Sequence, residues 1–163
     1  KLREPIFRFN LEKDHRVRMQ LIEPFVLFEV EGYRITPLKA DHDPYCDPVF
    51  YLIEKDGKCV LYSNDTGYYP EETWNYLQQH PCHIDLASFD CTIGIKECVH
   101  GHMGLSTVTD VRDRLKDMGF IDDTTLCYLN HFSHNGGATY DDMVTPAKEH
   151  GFSVTYDGLS VEF

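Results

Sequence analysis

The feature that most narrows the fold is a change of rhythm at Asp65. Before it come short β-branched and aromatic runs: "RVRMQLI" (16–22), "FVLFEVE" (25–31), "YRITPLKA" (33–40), "PVFYLIEK" (48–55) and "CVLYSND" (59–65). Glu31-Gly32 and Asp56-Gly57 separate neighbouring runs, and such pairs suit the left-handed residues of tight hairpin turns. A meander of strands is expected there. After Asp65, helical and strand patterns alternate: "EETWNYLQQH" behind Pro70, "HIDLASFD", "LSTVTDVRDRLKDMGF", "TTLCYLNH", "TYDDMVTPAKEHG" and "FSVTYDGLSVEF". Strands first and β-α-β-α-β afterwards predict one α/β domain over 1–163, with helices covering one face of a sheet.

The local signals set finer expectations. Pro70 opens the first helix, with Glu71 and Glu72 in its first turn, where acidic groups favour the helix dipole. Val108, Val111, Leu115 and Met118 share a face of the second helix, Thr107 and Asp110 resemble a capping box, and Gly119 supplies the stop. Pro146 must interrupt or restart the third helix, with Thr145 as its cap. Asp157-Gly158 reads as the turn of a short closing hairpin.

With 42% hydrophobic residues the chain carries enough apolar material for a layered core, which excludes disorder and a coiled coil. No apolar run reaches the ~20 residues of a membrane span, and "KLREPIFRFN" lacks the apolar centre of a secretory signal. Fifteen basic against 27 acidic residues give a net charge of −12, which repels long polyanions and argues against a nucleic-acid track. The six cysteines have no CxxC spacing and read as reduced, largely buried thiols of a cytoplasmic protein.

Four polar groups stand at strand ends or at a helix mouth: His42 in "ADHDP", Asp65 in "SNDTG", His100 and His102 in "HGHMGL", and His131 with His134 in "LNHFSHNGG". Taken singly, each has a structural explanation as a turn or loop residue. Taken together they could form one site, because strand ends on one rim of a sheet converge in space. The Gly136-Gly137 pair adds that backbone near His131 and His134 approaches something closely.

The ordered set "ADHD", "YSNDTG" followed by "YYPEETW", "HMGLSTV", "LNHFSH" and a terminal "VTYDGLSVEF" resembles the C-terminal portion of the metallo-β-lactamase fold. The likeness is strongest to its phosphodiesterase branch, which includes ribonuclease Z and phosphoribosyl cyclic phosphate diesterase. The resemblance implies the C-terminal lobe of an αββα sandwich. It further implies that His42, Asp65 and His131 ligate two divalent ions, with Asp65 bridging, while His102 and His134 lie outside the metal shell and contact the phosphate or protonate the leaving oxygen. Imidazole and carboxylate suit zinc, manganese or iron, and a metal pair lowers the pKa of a shared water.

The family's His-x-His-x-Asp-His motif is absent from the sequence. "HGHMGL" imitates its first half, but Gly104 and Leu105 stand where Asp and His are needed. Together with an opening on Lys1 instead of methionine, this sets the expectation that an N-terminal lobe lies upstream; a reduced homologue with an incomplete site is the other reading. On the first reading the lobe alone exposes an apolar sheet face that should pair with its other half or with a second copy. The short hairpin between His42 and Asp65 leaves no room for the tRNA-gripping arm common in ribonuclease Z, which points to a small phosphate ester as substrate. Thioester or lactam hydrolysis, and a non-catalytic binding module, are the competing expectations.

Overall fold

The computed structural model describes residues 20–163. The first expected strand, 16–22, falls mostly outside them. Its described residues 20–22 are not in a strand. The meander follows as β1 (Phe28–Val30), β2 (Tyr33–Lys39), β3 (Val49–Lys55) and β4 (Lys58–Ser63), each antiparallel to the next. Both hairpins turn as expected, with positive φ at Glu31, Gly32, Asp56 and Gly57, the conformation that keeps a two-residue loop in step with the twist of its strands. The chain then alternates through α1 (Glu71–Gln79), β5 (Leu86–Asp90), α2 (Leu105–Asp117), β6 (Leu126–Asn130), α3 (Tyr140–Glu149) and β7 (Ser153–Val154). β4 to β7 run parallel, completing one seven-stranded mixed sheet in sequence order.

The period-two pattern sorts the faces. Phe50, Leu52, Leu61, Ala87, Phe89 and Leu129 are buried and form one cluster with Trp74 and Leu77 of α1, Val108, Val111 and Leu115 of α2, and Met143 and Ala147 of α3. Each of the larger side chains stabilises the fold by roughly 1.5–3 kcal/mol through burial. The alternate residues behave differently: Tyr51, Ile53, Val60 and Tyr128 are half-buried and Tyr62 is exposed. Helices therefore cover one face of the sheet, and the opposite face stays partly open.

Three local expectations are corrected. α2 starts at Leu105 behind Gly104, with no capping side chain, so Thr107 and Asp110 are not a capping box. Gly104 allows the start because a Cβ there would sit 1.8 Å from the Lys96 carbonyl oxygen, and the Leu105 N–H is satisfied by the Gly94 carbonyl at 2.8 Å. α3 does not restart at Thr145-Pro146. Thr139 and Asp142 form a reciprocal capping box, and Pro146 sits inside one continuous helix. Continuity keeps Met143 and Ala147, four residues apart, buried on one side, which offsets the bond lost at proline.

The terminal hairpin is also absent. After β7 the chain turns at Gly158 (φ 87) and places Tyr156, Leu159 and Val161 beside Tyr62, Leu86 and Tyr128 of the open face, around a cavity of about 660 Å³. Among the described residues no helix is long and apolar enough to cross a membrane.

Candidate metal centre

Strand direction explains where the site lies. β2 and β4 both run antiparallel to β3, and β5 and β6 run parallel to β4. The C-terminal ends of β2, β4, β5 and β6 thus share one edge of the sheet. His42 follows β2, Asp65 follows β4, Asp90 ends β5 and His131 follows β6.

Asp90 organises the centre. Its side chain is fully buried. Oδ1 accepts the N–H of Thr92 at 2.9 Å and of Met103 at 3.1 Å, and Oδ2 accepts the N–H of Asp65 at 2.9 Å and of Thr66 at 3.4 Å. The Nδ1 atoms of His102 and His131 also approach Oδ2, at 3.1 and 3.3 Å. One carboxylate thereby ties the backbone of two loops to two imidazoles.

Asp65 contrasts with it, being more than half exposed. Its Oδ1 stands 3.2 Å from His42 Nε2, 3.8 Å from His131 Nε2 and 3.8 Å from His102 Nδ1. Asp65 and His131 adopt the left-handed region, with φ of 61° and 62°. That conformation costs on the order of 1 kcal/mol or more outside glycine and concentrates at functional sites.

His131 is held by its neighbour across the edge. The Thr92 hydroxyl donates to the His131 carbonyl at 2.8 Å and lies 2.7 Å from His131 Nδ1. With its single proton spent on the carbonyl, the hydroxyl accepts from Nδ1–H, which leaves the Nε2 lone pair facing Asp65. The Gly136-Gly137 turn has a matching cause: a Cβ at Gly136 would lie 2.8 Å from the Thr92 carbonyl oxygen. The close approach expected there is thus to the chain's own Thr92 loop.

Asp65, Asp90, His102 and His131 form a group whose potential ligand atoms all lie within 4.8 Å of one another. His42 adjoins it through Asp65. His102 joins this group through its Nδ1, which lies 3.1 Å from Asp90 Oδ2. His100 is bonded to Asp41 and lies outside the group. His134 is exposed on its turn, and no side-chain contact joins it to the others. Asp90 went unnoticed in the sequence, although "LASFD" ends a buried strand on an acid just as "LYSND" nearly does and "YLNH" ends on a histidine. That repeated strand-end position was the available signal.

The donors suit a cation. Two ligands on one tetrahedral ion with bonds of about 2.0–2.1 Å stand ~3.3 Å apart, close to the 3.2 Å between Asp65 Oδ1 and His42 Nε2, while His131 Nε2 stands further off at 3.8 Å. Asp90 has its oxygens committed to backbone donors, so it braces the ligands more readily than it binds an ion itself.

Comparison with known proteins bears on the fold. No curated protein matches the chain. Among solved structures, the metallo-beta-lactamase fold protein YhfI from Bacillus subtilis is 18% identical with a TM-score of 0.59, over 90% of this chain and 58% of its own. A diphosphatase from the PhnP family is 17% identical with a TM-score of 0.61, over 94% and 52%. An isothiocyanate hydrolase from Delia radicum gut bacteria is 13% identical with a TM-score of 0.61, over 94% and 63%. The chain therefore spans little more than half of the length of these proteins, and at such identities they share its fold. Residues 1–132 match the family described as the beta-lactamase superfamily domain, so with its fold and its strand-edge cluster of Asp and His, the chain belongs to the beta-lactamase superfamily.

Proposed function

We propose that the chain contributes the C-terminal part of a dinuclear-metal hydrolase that cleaves a small cyclic or nucleotide-like phosphodiester in the cytoplasm. The observation that carries this reading is the convergence of His42, His102 and His131 on the exposed carboxylate of Asp65, braced from below by buried Asp90. His42, Asp65 and His131 would hold divalent ions, for which zinc, manganese and iron all suit the donors. Such ions would supply Lewis acidity at phosphorus and a water of lowered pKa. The chain's own residues do the rest. Asp90 and Thr92 fix the ring orientation of His131. Asp90 likewise anchors His102 at Nδ1, so that Nε2 is the atom left to give a proton to the departing oxygen. His134, exposed on the turn after His131, is the second proposed phosphate contact.

A phosphoester is preferred over a carbonyl substrate because two histidines beyond the bridging carboxylate suit a charged phosphoryl group, and one fold neighbour is a diphosphatase. The net charge of −12 favours a small ester over a polynucleotide. An isothiocyanate hydrolase among the neighbours keeps hydrolysis at carbon as the rival. The full-length protein, loaded in turn with zinc, manganese and iron, should hydrolyse bis(p-nitrophenyl) phosphate and leave an acyl thioester intact; the reverse preference would transfer the assignment to carbonyl chemistry. No turnover of either and no bound metal would leave a binding module. His102→Ala should abolish turnover with metal retained, and loss of the metal instead would make His102 a ligand and remove it as the acid.

A further inference from the structure

The three loops that carry His42, Asp65 and His102 are joined to one another by contacts that involve none of those side chains. The Asp41 N–H donates to Thr66 Oγ1 at 3.0 Å, and the Gly67 N–H donates to the Asp41 carbonyl at 2.8 Å. Tyr68 N–H donates to the Val99 carbonyl at 2.7 Å. His100 Nδ1 meets Asp41 Oδ2 at 2.9 Å, across 59 residues of sequence. Gly67 lies at the junction: a Cβ there would sit 2.3 Å from the Val99 carbonyl oxygen, 2.7 Å from Asp41 Oδ2 and 2.8 Å from the Gly101 nitrogen. Only a residue without a side chain lets the three backbones meet this closely.

We propose that Asp41 and His100 are positioning residues, a clamp that sets the loop of His42 against the loop of His102 around the Gly67 junction. His100 has an 88% exposed side chain. Among the described residues its side chain bonds to Asp41 alone, and neither core packing nor ligation accounts for that contact. Asp41 and His100 flank His42 and His102 by one and two residues respectively. A shift at the clamp is therefore transmitted directly to both rings. The consequence for metal binding rests on the function proposed above; the clamping of the loops does not.

The test uses His100→Ala, His100→Asn and His100→Gln in the full-length protein. The asparagine amide nitrogen stands as many bonds from the backbone as Nδ1, whereas that of glutamine stands one bond further. His100→Ala should leave the thermal midpoint unchanged and speed amide hydrogen exchange over residues 40–46 in metal-free protein by about tenfold. It should also weaken Co2+ binding by about tenfold, the usual scale for partners behind the ligands, with an altered visible absorption band. His100→Asn should restore exchange and absorption, and His100→Gln should not. Exchange over 40–46 identical in wild type and His100→Ala would overturn the clamp. If wild type itself binds no Co2+, the metal assignment falls, while the exchange comparison still decides the clamp.

Discussion

Replacing Asp90 by asparagine exposes how much of the centre hangs on one side chain. The carboxylate offers two acceptor oxygens to two pairs of backbone donors, Thr92 and Met103 at Oδ1, Asp65 and Thr66 at Oδ2. An amide keeps one oxygen and turns a donor toward the other pair. Either rotamer therefore leaves two N–H groups facing an N–H2 at a fully buried site. An unsatisfied buried donor costs about 1–3 kcal/mol. The 3.4 Å bond to Thr66 contributes least, so the sum is about 2–4 kcal/mol. For a chain of this size that lowers the thermal midpoint by roughly 10 °C. The two imidazoles lose their shared anchor in one rotamer, and divalent-ion affinity should fall about 10–100-fold. Urea unfolding of metal-free protein, followed by circular dichroism, reads the first effect, and Zn2+ titration with a competing chromophoric chelator reads the second. An Asp90→Asn protein within about 0.5 kcal/mol of wild type, a change typical of an ordinary surface site, would refute the view that Asp90 organises the centre.

Four further outcomes follow from the same geometry. Thr92→Val should cost about 1–2 kcal/mol in urea unfolding and about tenfold in Zn2+ affinity, since it orphans the His131 carbonyl and frees its ring, while Thr92→Ser restores both. Gly104→Ala drives a Cβ to 1.8 Å from the Lys96 carbonyl oxygen, and a loss of about 3 kcal/mol or more should appear as poor soluble yield and a depressed midpoint. Asp65→Gly relieves a left-handed φ of 61° and should stay within about 1 kcal/mol of wild-type stability, yet lose Zn2+ binding. At Asp85, the hydrogen bond from Lys58 and then that from the Cys59 N–H hold the carboxyl below its usual range. Asp85→Asn should therefore cost up to about 1 kcal/mol at pH 7, and the gap to wild type should close as pH falls below the ordinary aspartate value of about 4, through the lowered folded value.

The elements were legible wherever local chemistry decides them. The turns at Glu31-Gly32 and Asp56-Gly57, Pro70 before α1 and the Gly119 stop each rest on backbone preferences that need no partner. The errors share a cause. Thr107-Asp110 and Thr145-Pro146 carry good capping chemistry, but tertiary contacts at Gly104 and the Thr139–Asp142 box put the helix starts elsewhere. His42, Asp65 and His131 stand out because they follow apolar runs at strand ends, and His102 because it sits at the mouth of a helix. Asp90 was not, because an acid that finishes a buried strand reads locally as a turn. Its role depends on donors from Asp65, Thr66, Thr92 and Met103, and a linear reading has no means of bringing those together.

The two carboxylates divide the work by environment, not by type. Asp90 is fully buried, and its oxygens are spent on the protein; Asp65 is 57% exposed, with an oxygen surrounded by imidazole nitrogens and, among the described residues, no backbone donor to it. A buried carboxylate without such donors would be costly to desolvate, so the backbone bonds at Asp90 are what allow an acid beneath the histidines at all. The same bonds hold the Asp65 loop, since the Asp65 N–H ends on Asp90 Oδ2. The left-handed φ of Asp65 is thereby supported from below by the residue that also orients His102 and His131. The donors around Asp65 are thus held in place by the fold, which would lower the ordering cost of binding a cation there. A substitution at Asp65 should therefore move ion affinity with little change in stability, whereas one at Asp90, which holds both the Asp65 loop and the two imidazoles, should move both.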